Sequence, residues 1–264
     1  MMFDDLRGRK AVITGSTSGI GLAFAEGLAQ MGVDLTINGF GDGDEIEANR
    51  ARIAGEFGVD VRYDGADMTK PEEIRQMIRG AEAAHGRIDI LINNAGIQKV
   101  APIDEYDDDT WDRIIAINLS SNYHTIKAAL PGMKERGFGR IVNVASAHGL
   151  VASPFKSAYI SAKHGVVGLT KTVALEAAEH GVTCNAICPG YTLTPLVEAQ
   201  VEDTAKARGI SVEEVKETVM LKSQPTRKFI TYENLTGLLV YLCSNAGSGS
   251  TGYPYAVDGG WLAQ

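Results

Sequence analysis

Tyr159 and Lys163 are a pair of side chains whose types and spacing suit proton transfer. They are four positions apart in a segment, Ser157 to His180, that we predict to be helical, so both lie on one helix face, one turn apart. A phenol with a pKa of about 10 is a poor base at neutral pH, but a neighbouring ammonium group favours its ionised form. The pair is therefore a candidate for moving a proton to or from a substrate hydroxyl group.

A glycine-rich turn, Thr14 to Gly21, follows the first predicted strand and leads into a helix that begins at Ile20. Its glycines allow a tight turn and close approach of the backbone to a pyrophosphate, while the helix N-terminus supplies amide donors. The spacing is GxxxGxG rather than GxGxxG, so the turn meets the dinucleotide-binding pattern only approximately. Taken alone, it leaves open an ordinary strand-to-helix connection.

Apolar runs rich in valine and isoleucine alternate with helical patterns along the chain. The predicted strands are Ala11 to Thr14, Val33 to Asn38, Val59 to Tyr63, Ile88 to Asn93, Arg140 to Ala145, Thr183 to Cys188 and Tyr255 to Val257. The predicted helices are Ile20 to Met31, Asp44 to Phe57, Pro71 to His85, Thr110 to Arg136, Ser157 to His180 and Tyr232 to Ser244. This alternation predicts a single Rossmann-type α/β domain over residues 1–264, a doubly wound, seven-stranded parallel sheet with helices on both faces.

One segment interrupts the alternation. From Gly190 to about Gln224 there is no strand, only two short helices, one of which begins with the capping box Ser211 to Glu214. Such a long insertion is typical of a functional lid. We therefore expect a helical lid over residues 190–224.

The composition of the chain argues against several classes of protein. The chain has 264 residues, 44% of them hydrophobic, and a net charge of -8, which disfavours nucleic acid as a partner. Three cysteines without CxxC spacing argue against a disulfide framework or a zinc site and favour a reducing compartment. No stretch approaches the roughly 18 apolar residues of a membrane span. We predict a cytoplasmic protein with no metal and no membrane partner.

The helix predicted from Ser157 to His180 is apolar around most of its circumference. Such a helix must be buried on more than one side. The outer side of a sheet-covering helix can be buried only by another subunit, so we predict an oligomer.

Several further motifs resemble those of the short-chain dehydrogenase/reductase family, and they occur in the family's order. They are Asn93-Asn94-Ala95-Gly96 after the fourth strand, Asn118 in the next helix, Ser146 after the fifth strand, Tyr159-Ile160-Ser161-Ala162-Lys163 in the long helix, and Pro189-Gly190 after the sixth strand. The resemblance extends from Lys10 to Trp261. It implies a nicotinamide dinucleotide bound at the carboxyl ends of the strands.

The resemblance also implies roles for individual residues. The implied catalytic set is Tyr159 as general acid and base, Ser146 holding the substrate oxygen, Lys163 binding the nicotinamide ribose and Asn118 anchoring a water for proton relay. The implied cofactor-binding residues are Gly15, Thr17, Ser18, Gly19, Ile20, Gly21, Phe40, Asp67, Met68, Asn94, Ala95, Gly96, Tyr159, Lys163, Pro189, Gly190 and Thr192, with Asp67 and Met68 at the adenine.

The choice between NAD and NADP follows from charge. A 2′-phosphate normally requires a nearby Arg or Lys. The second strand ends in Ile37-Asn38-Gly39-Phe40, and the glycine-rich turn carries only serine and threonine between its first two glycines. NAD is therefore favoured, although the acidic residue that usually holds the ribose is also missing.

Three polar residues near the expected hydride site indicate the substrate. Gln98, His148 and Lys156 would converge there, and converging donors suggest a small anion, most simply a carboxylate. The segments around them resemble those of family members that oxidise D-3-hydroxybutyrate to acetoacetate. In those enzymes the matching residues hold the carboxylate. The implied substrate-binding residues are Gln98, Ser146, His148, Lys156, Tyr159, Tyr191, Gln200 and Trp261, with Tyr191 standing where a tryptophan is usual.

Other functions stay open at this point. A 3-oxoacyl thioester (acyl carrier protein) reductase would share the catalytic set, but it normally prefers NADP. Another short-chain 3-hydroxy acid dehydrogenase would also fit, since Tyr191 alters the pocket. An NAD-sensing scaffold without turnover is disfavoured by the intact Ser146, Tyr159 and Lys163. We predict a homotetramer, but the sequence fixes neither the exact number of subunits, nor the preferred enantiomer, nor the physiological direction.

Overall fold

The computed structural model describes residues 3–263, which form a seven-stranded parallel sheet. The strands are β1 (Lys10–Ile13), β2 (Asp34–Asn38), β3 (Val61–Asp64), β4 (Ile90–Asn93), β5 (Gly139–Val144), β6 (Val182–Pro189) and β7 (Pro254–Val257). Their order is β3-β2-β1-β4-β5-β6-β7, and every neighbouring pair is parallel. The order reverses direction between β1 and β4, which is where open α/β sheets bind their ligands.

Helices cover both faces of this sheet. The helices are α1 (Gly19–Gln30), α2 (Gly43–Phe57), α3 (Pro71–His85), α4 (Asp108–Ile115), α5 (Ser121–Glu135), α6 (Ser157–Ala177), α7 (Pro195–Arg208), α8 (Val212–Glu214), α9 (Leu221–Ser223) and α10 (Tyr232–Cys243). Successive strand residues point to opposite faces, so Ile90 and Ile92 enter the core beneath α1 and α10, while Leu91 enters the core beneath α3, α5 and α6. The predicted doubly wound fold is confirmed.

The sequence prediction of one helix from Thr110 to Arg136 is wrong in detail. The helix begins at Asp108, because Asp107 accepts a hydrogen bond from the Thr110 amide as its N-cap. A π-helical turn, Ala116–Ser120, then separates α4 from α5. The apolar spacing continues through this turn, so the periodicity gives no sign of it.

The segment over residues 190–224 contains the expected two helical stretches. One is α7; the other runs from α8 through a π-helical turn, Val215–Met220, into α9. The predicted capping box is present, with Ser211 and Glu214 bonded reciprocally. The segment has its own apolar cluster, which includes Val201, Val215 and Met220 and contacts Tyr191 and Trp261. Within residues 3–263, no helix is long and apolar enough to cross a membrane.

Candidate active site

A cleft lies at the carboxyl ends of the central strands. Its wall is formed by the turn after β1, by the residues that follow β4, β5 and β6, and by the start of α7. Parallel strands bring these separate segments together because all of them end at one edge of the sheet.

The glycine-rich turn is held rigidly at one end of the cleft. Gly15 has a φ of +60°, and a Cβ there would lie 2.7 Å from the Cα of Ala95. A Cβ on Gly21 would lie 2.2 Å from the Gly15 carbonyl oxygen. The Asn94 side chain donates to the carbonyls of Gly15 (2.7 Å) and Thr14 (3.1 Å), which fixes the turn. Only glycine therefore fits at both positions.

The start of α1 leaves donors available to a ligand. Its N-cap residue, Ser18, makes no side-chain capping bond within residues 3–263, so the first amides of α1 have no such partner. Thr192, across the cleft, has a buried hydroxyl without a hydrogen-bond partner in the same part of the chain. A hydroxyl and a helix N-terminus that line one cleft fit the phosphates of a dinucleotide.

The cleft wall beyond β2 is uncharged. Thr17 donates to the Phe40 carbonyl at 2.9 Å, and the Tyr63 hydroxyl donates to the Gly39 carbonyl at 2.9 Å. Among the described residues that line the cleft, the cationic side chains are Lys156 and Lys163, and neither belongs to the segment after β2 or to the glycine-rich turn. A 2′-phosphate bound beside the segment after β2 would therefore have no cationic side chain among the described residues that line this part of the cleft.

Tyr159, Lys163 and Ser146 converge in the middle of the cleft. Lys163 is 3% exposed; its Nζ donates to the Val144 carbonyl at 2.6 Å and lies 5.5 Å from the centroid of the Tyr159 ring. The Ser146 hydroxyl accepts a hydrogen bond from the His148 amide at 3.1 Å. The spacing that predicted a shared helix face for Tyr159 and Lys163 therefore agrees with the structure.

Burial controls the titration of this group. Desolvation raises the pKa of Tyr159 to about 12, although a hydrogen bond with the neighbouring Ser146 hydroxyl opposes the rise. Desolvation also lowers the pKa of Lys163 to about 8. Without a further positive charge, the phenol is therefore protonated at neutral pH.

Asn118 lies behind the cleft, in the π-helical turn between α4 and α5. Its Oδ1 accepts from the Ile97 amide and its Nδ2 donates to the Ile97 carbonyl, both at 2.9 Å. The side chain is 1% exposed. Asn118 thereby holds the loop after β4 that carries Gly96 and Gln98.

The opposite end of the cleft holds a buried cation. Lys156 is 6% exposed, and its nearest hydrogen-bond partner among residues 3–263 is the Tyr191 hydroxyl, 3.5 Å from Nζ. Desolvation lowers the pKa of Lys156 to about 8, and the charge of Arg208 acts in the same direction. A buried ammonium without a carboxylate partner is costly unless a ligand supplies the negative charge.

Two further buried side-chain nitrogens line the same cleft as this ammonium. Gln98 Nε2 and His148 Nε2 are buried and have no hydrogen-bond partner within the described chain. The His148 ring meets Trp261, Tyr191 and Tyr159 edge to face, with centroids 5.0, 6.0 and 6.3 Å away. Desolvation lowers the pKa of His148 to about 3, so the ring is neutral.

The predicted site residues fall into two groups. The cleft is lined by every predicted residue except Gly21, Asp67, Met68, Ala95 and Asn118. Met68 lies in the core beneath α3, and Asp67 accepts hydrogen bonds from Thr69. Their proposed contact with the adenine stays a prediction.

Seven lining residues were not assigned a role from the sequence. They are Gly39, Val144, Ala145, Thr194, Pro195, Leu196 and Val197. The sequence contains a helix-start pattern at the last four of these residues. Thr194 caps α7 by accepting a hydrogen bond from the Val197 amide, and a proline, Pro195, occupies the first turn. Because α7 starts at the cleft, its first residues would contact a ligand bound there.

Comparison with known proteins shows which family this chain belongs to. The family model described as short chain dehydrogenase matches residues 9–205, so the chain belongs to the short-chain dehydrogenase/reductase family, whose dehydrogenases use nicotinamide cofactors. The family resemblance seen in the sequence is confirmed.

Individual relatives are similar over nearly the full length. A D-beta-hydroxybutyrate dehydrogenase of Rhizobium meliloti is 57% identical over 97% of this chain and 99% of its own. A protein of the same name from Cupriavidus necator is 54% identical over 98% of this chain and 100% of its own. A solved structure of a putative short-chain alcohol dehydrogenase from Sinorhizobium meliloti superimposes with a TM-score of 0.89 at 32% identity, covering 99% of both chains.

Proposed function

We propose that this chain catalyses the reversible oxidation of D-3-hydroxybutyrate to acetoacetate with NAD. The observation that carries the proposal is the buried Lys156 ammonium, which has no carboxylate partner among residues 3–263 and lies in the same cleft as Tyr159. The relatives that are more than half identical are named for this substrate, and their names supply the D configuration.

The carboxylate end of the site would bind the acid through charge and hydrogen bonds. Lys156 would pair with the carboxylate. The Nε2 atoms of Gln98 and His148, which have no hydrogen-bond partner among residues 3–263, would donate to its oxygens. Because His148 is neutral, it contributes a hydrogen bond without a second charge. Gln200, Trp261 and Tyr191 would enclose the rest of this small molecule.

The chemical step needs a proton acceptor beside the carbinol carbon. NAD, when bound, supplies the acceptor for the hydride that leaves this carbon. Tyr159 would take the hydroxyl proton, and Ser146 would hold the same oxygen as charge develops on it. In the reverse direction Tyr159 returns the proton to the carbonyl oxygen of the keto acid.

Tyr159 can act as a base only if its pKa falls from about 12. Lys163, whose Nζ lies 5.5 Å from the phenol ring centroid, supplies one positive charge. An oxidised cofactor with a positively charged nicotinamide ring would supply another, so Tyr159 would ionise more readily once the cofactor site is filled. The Val144 carbonyl holds Lys163 in place for this task.

The residues present fit the cofactor. The constrained Gly15 to Gly21 turn, the amides at the start of α1, which have no side-chain cap among residues 3–263, and the Thr192 hydroxyl would hold the pyrophosphate. Lys163 would bind the nicotinamide ribose. The uncharged lining around Gly39 and Phe40 supports NAD rather than NADP.

The proposal is tested by initial rates of cofactor reduction with a panel of substrates. We expect NADH formation from D-3-hydroxybutyrate, at least tenfold less from the L enantiomer or with NADP, and none from a 3-hydroxyacyl thioester, which lacks the carboxylate. Thioester turnover with an inert free acid would overturn the assignment. Lys156→Ala should weaken binding of the acid much more than binding of NADH.

We also propose that the protein is a cytoplasmic homotetramer. The support is the outer surface of α6, where Leu175 is 82% exposed although it is a large apolar residue. Cys184, Cys188 and Cys243 are all buried and free, which fits a reducing compartment. Light scattering of the purified protein reports the subunit number directly.

A further inference from the structure

Phe155, immediately before Lys156, has an unusual backbone conformation. Its φ is +69°, a left-handed value that bulky side chains rarely adopt, and among residues 3–263 only one other non-glycine residue, Arg227, has a positive φ. A conformation of this kind persists only where the surroundings impose it, and such residues cluster at functional sites. Lys156 is the N-cap of α6, so this turn sets the direction in which its side chain enters the cleft.

Contacts from two other segments hold Phe155 in this conformation. Its carbonyl accepts a hydrogen bond from the Ala101 amide at 3.0 Å, which ties it to the loop after β4. The Arg208 guanidinium, at the last residue of α7, lies over the Phe155 ring at 6.0 Å from its centroid. This distance lies within the range of cation–π attraction.

A second, smaller cavity is lined both by residues of the lid and by Phe155. It is lined by Phe155 together with Val219 and Met220 from the π-helical turn after α8, and by Arg208. Lys156 and Tyr191 line both this cavity and the active-site cleft, so their side chains form the wall between the two. A movement of the lid helices against Phe155 would therefore displace this wall.

We infer that Phe155 is a positioning residue, which couples the lid helices to Lys156 through its ring contact with Arg208. The inference rests on the proposed role of Lys156 in binding the substrate carboxylate. Arg208 and Lys156 line the same small cavity, so the two cations lie near each other. Arg208 itself is exposed and need not touch the substrate.

The test compares Phe155→Gly, Arg208→Gln and the double variant. Phe155→Gly suits the left-handed backbone but removes the ring, and Arg208→Gln removes the cation while leaving the ring. We expect each single variant to raise the KM for D-3-hydroxybutyrate by about tenfold, because a small displacement of a binding group costs much affinity. We expect kcat within about twofold of wild type and an unchanged NADH Kd, since the chemistry is untouched.

Two further variants separate positioning from general stability. Phe155→Tyr retains the ring and should have the KM of the wild type. Arg227→Gly, which removes the other positive-φ side chain, should change neither KM nor kcat. In the double variant, KM should not exceed that of the weaker-binding single variant, because both changes break one contact.

The outcomes distinguish this inference from the proposed function. A wild-type KM in Arg208→Gln overturns the inference even if Phe155→Gly fails to fold. Additive KM effects in the double variant, or a parallel loss of kcat, NADH binding and melting temperature in Phe155→Gly, also overturn it. If Lys156→Ala leaves the KM for the acid unchanged, the proposed function fails instead.

Discussion

The titration of Lys156 should appear in the pH dependence of acid binding. Burial lowers its pKa from 10.5 to about 8, and a bound carboxylate favours the charged form, so the pKa rises again in the complex. Binding is then strong below the pKa of the free site and weakens as the pH rises through it. If the complex regains the ordinary pKa, the difference corresponds to roughly 3 kcal/mol of interaction free energy.

The expected magnitude follows from the protonated fraction. Near pH 7 Lys156 is about nine-tenths charged, and near pH 9 it is about one-tenth charged. The inhibition constant of butyrate, which stays ionised over this range, should therefore rise about tenfold between these pH values at saturating NAD. Butyrate has no hydroxyl group, so its inhibition reports binding and not chemistry.

Variants of Lys156 provide the controls. In Lys156→Arg the guanidinium stays charged and the inhibition constant should be flat with pH, whereas Lys156→Gln should bind butyrate weakly at every pH. Any pH dependence left in Lys156→Gln belongs to other groups, of which Lys163 is the first to consider because its pKa is also about 8. A wild-type inhibition constant that does not change from pH 7 to pH 9 would refute the reasoning.

Three more predictions concern the turn, the cleft histidine and the outer helix. Gly21→Ala should destabilise the fold by about 1–3 kcal/mol in urea unfolding and weaken NADH binding, because the new Cβ meets the Gly15 carbonyl, whereas Gly55→Ala has open space and should not. Burial lowers the pKa of His148 to about 3 in the folded state, so the unfolded chain binds more protons below pH 6.5. Acidification from pH 6.5 to pH 5 should therefore lower the free energy of unfolding by roughly 1.5 kcal/mol through this residue. In His148→Gln the free energy of unfolding should lose that part of its dependence on pH. Leu175→Lys should reduce the molar mass seen by light scattering if α6 lies at a subunit contact; an unchanged mass would place the contact elsewhere.

The features that could be predicted from the sequence depend on local spacing. The Tyr159 and Lys163 pair lies on one helix face because α6 is regular between these residues. The strands were recognisable because residues buried on both faces form continuous apolar runs, as in β6, which is buried throughout. The parallel order of the strands then brings their carboxyl ends, and the motifs that follow them, to one edge.

Other features depend on tertiary contacts and leave no local signal. The π-helical turn at Asn118 coincides with the two hydrogen bonds of its side chain to Ile97, and these cannot be inferred from apolar spacing. The left-handed conformation of Phe155 goes against the preference of its residue type. The pKa of Lys156 is lowered by burial beneath the lid and by the charge of Arg208, and both the lid and Arg208 are distant from Lys156 in sequence.

The most direct test of the catalytic claim is the Tyr159→Phe variant, which removes a single oxygen atom. With saturating NAD and D-3-hydroxybutyrate we expect its turnover to fall by at least a thousandfold, since the proton acceptor is lost, while its Kd for NADH stays within about twofold of wild type. Turnover close to that of the wild type would contradict the assignment of Tyr159 as the group that receives the proton.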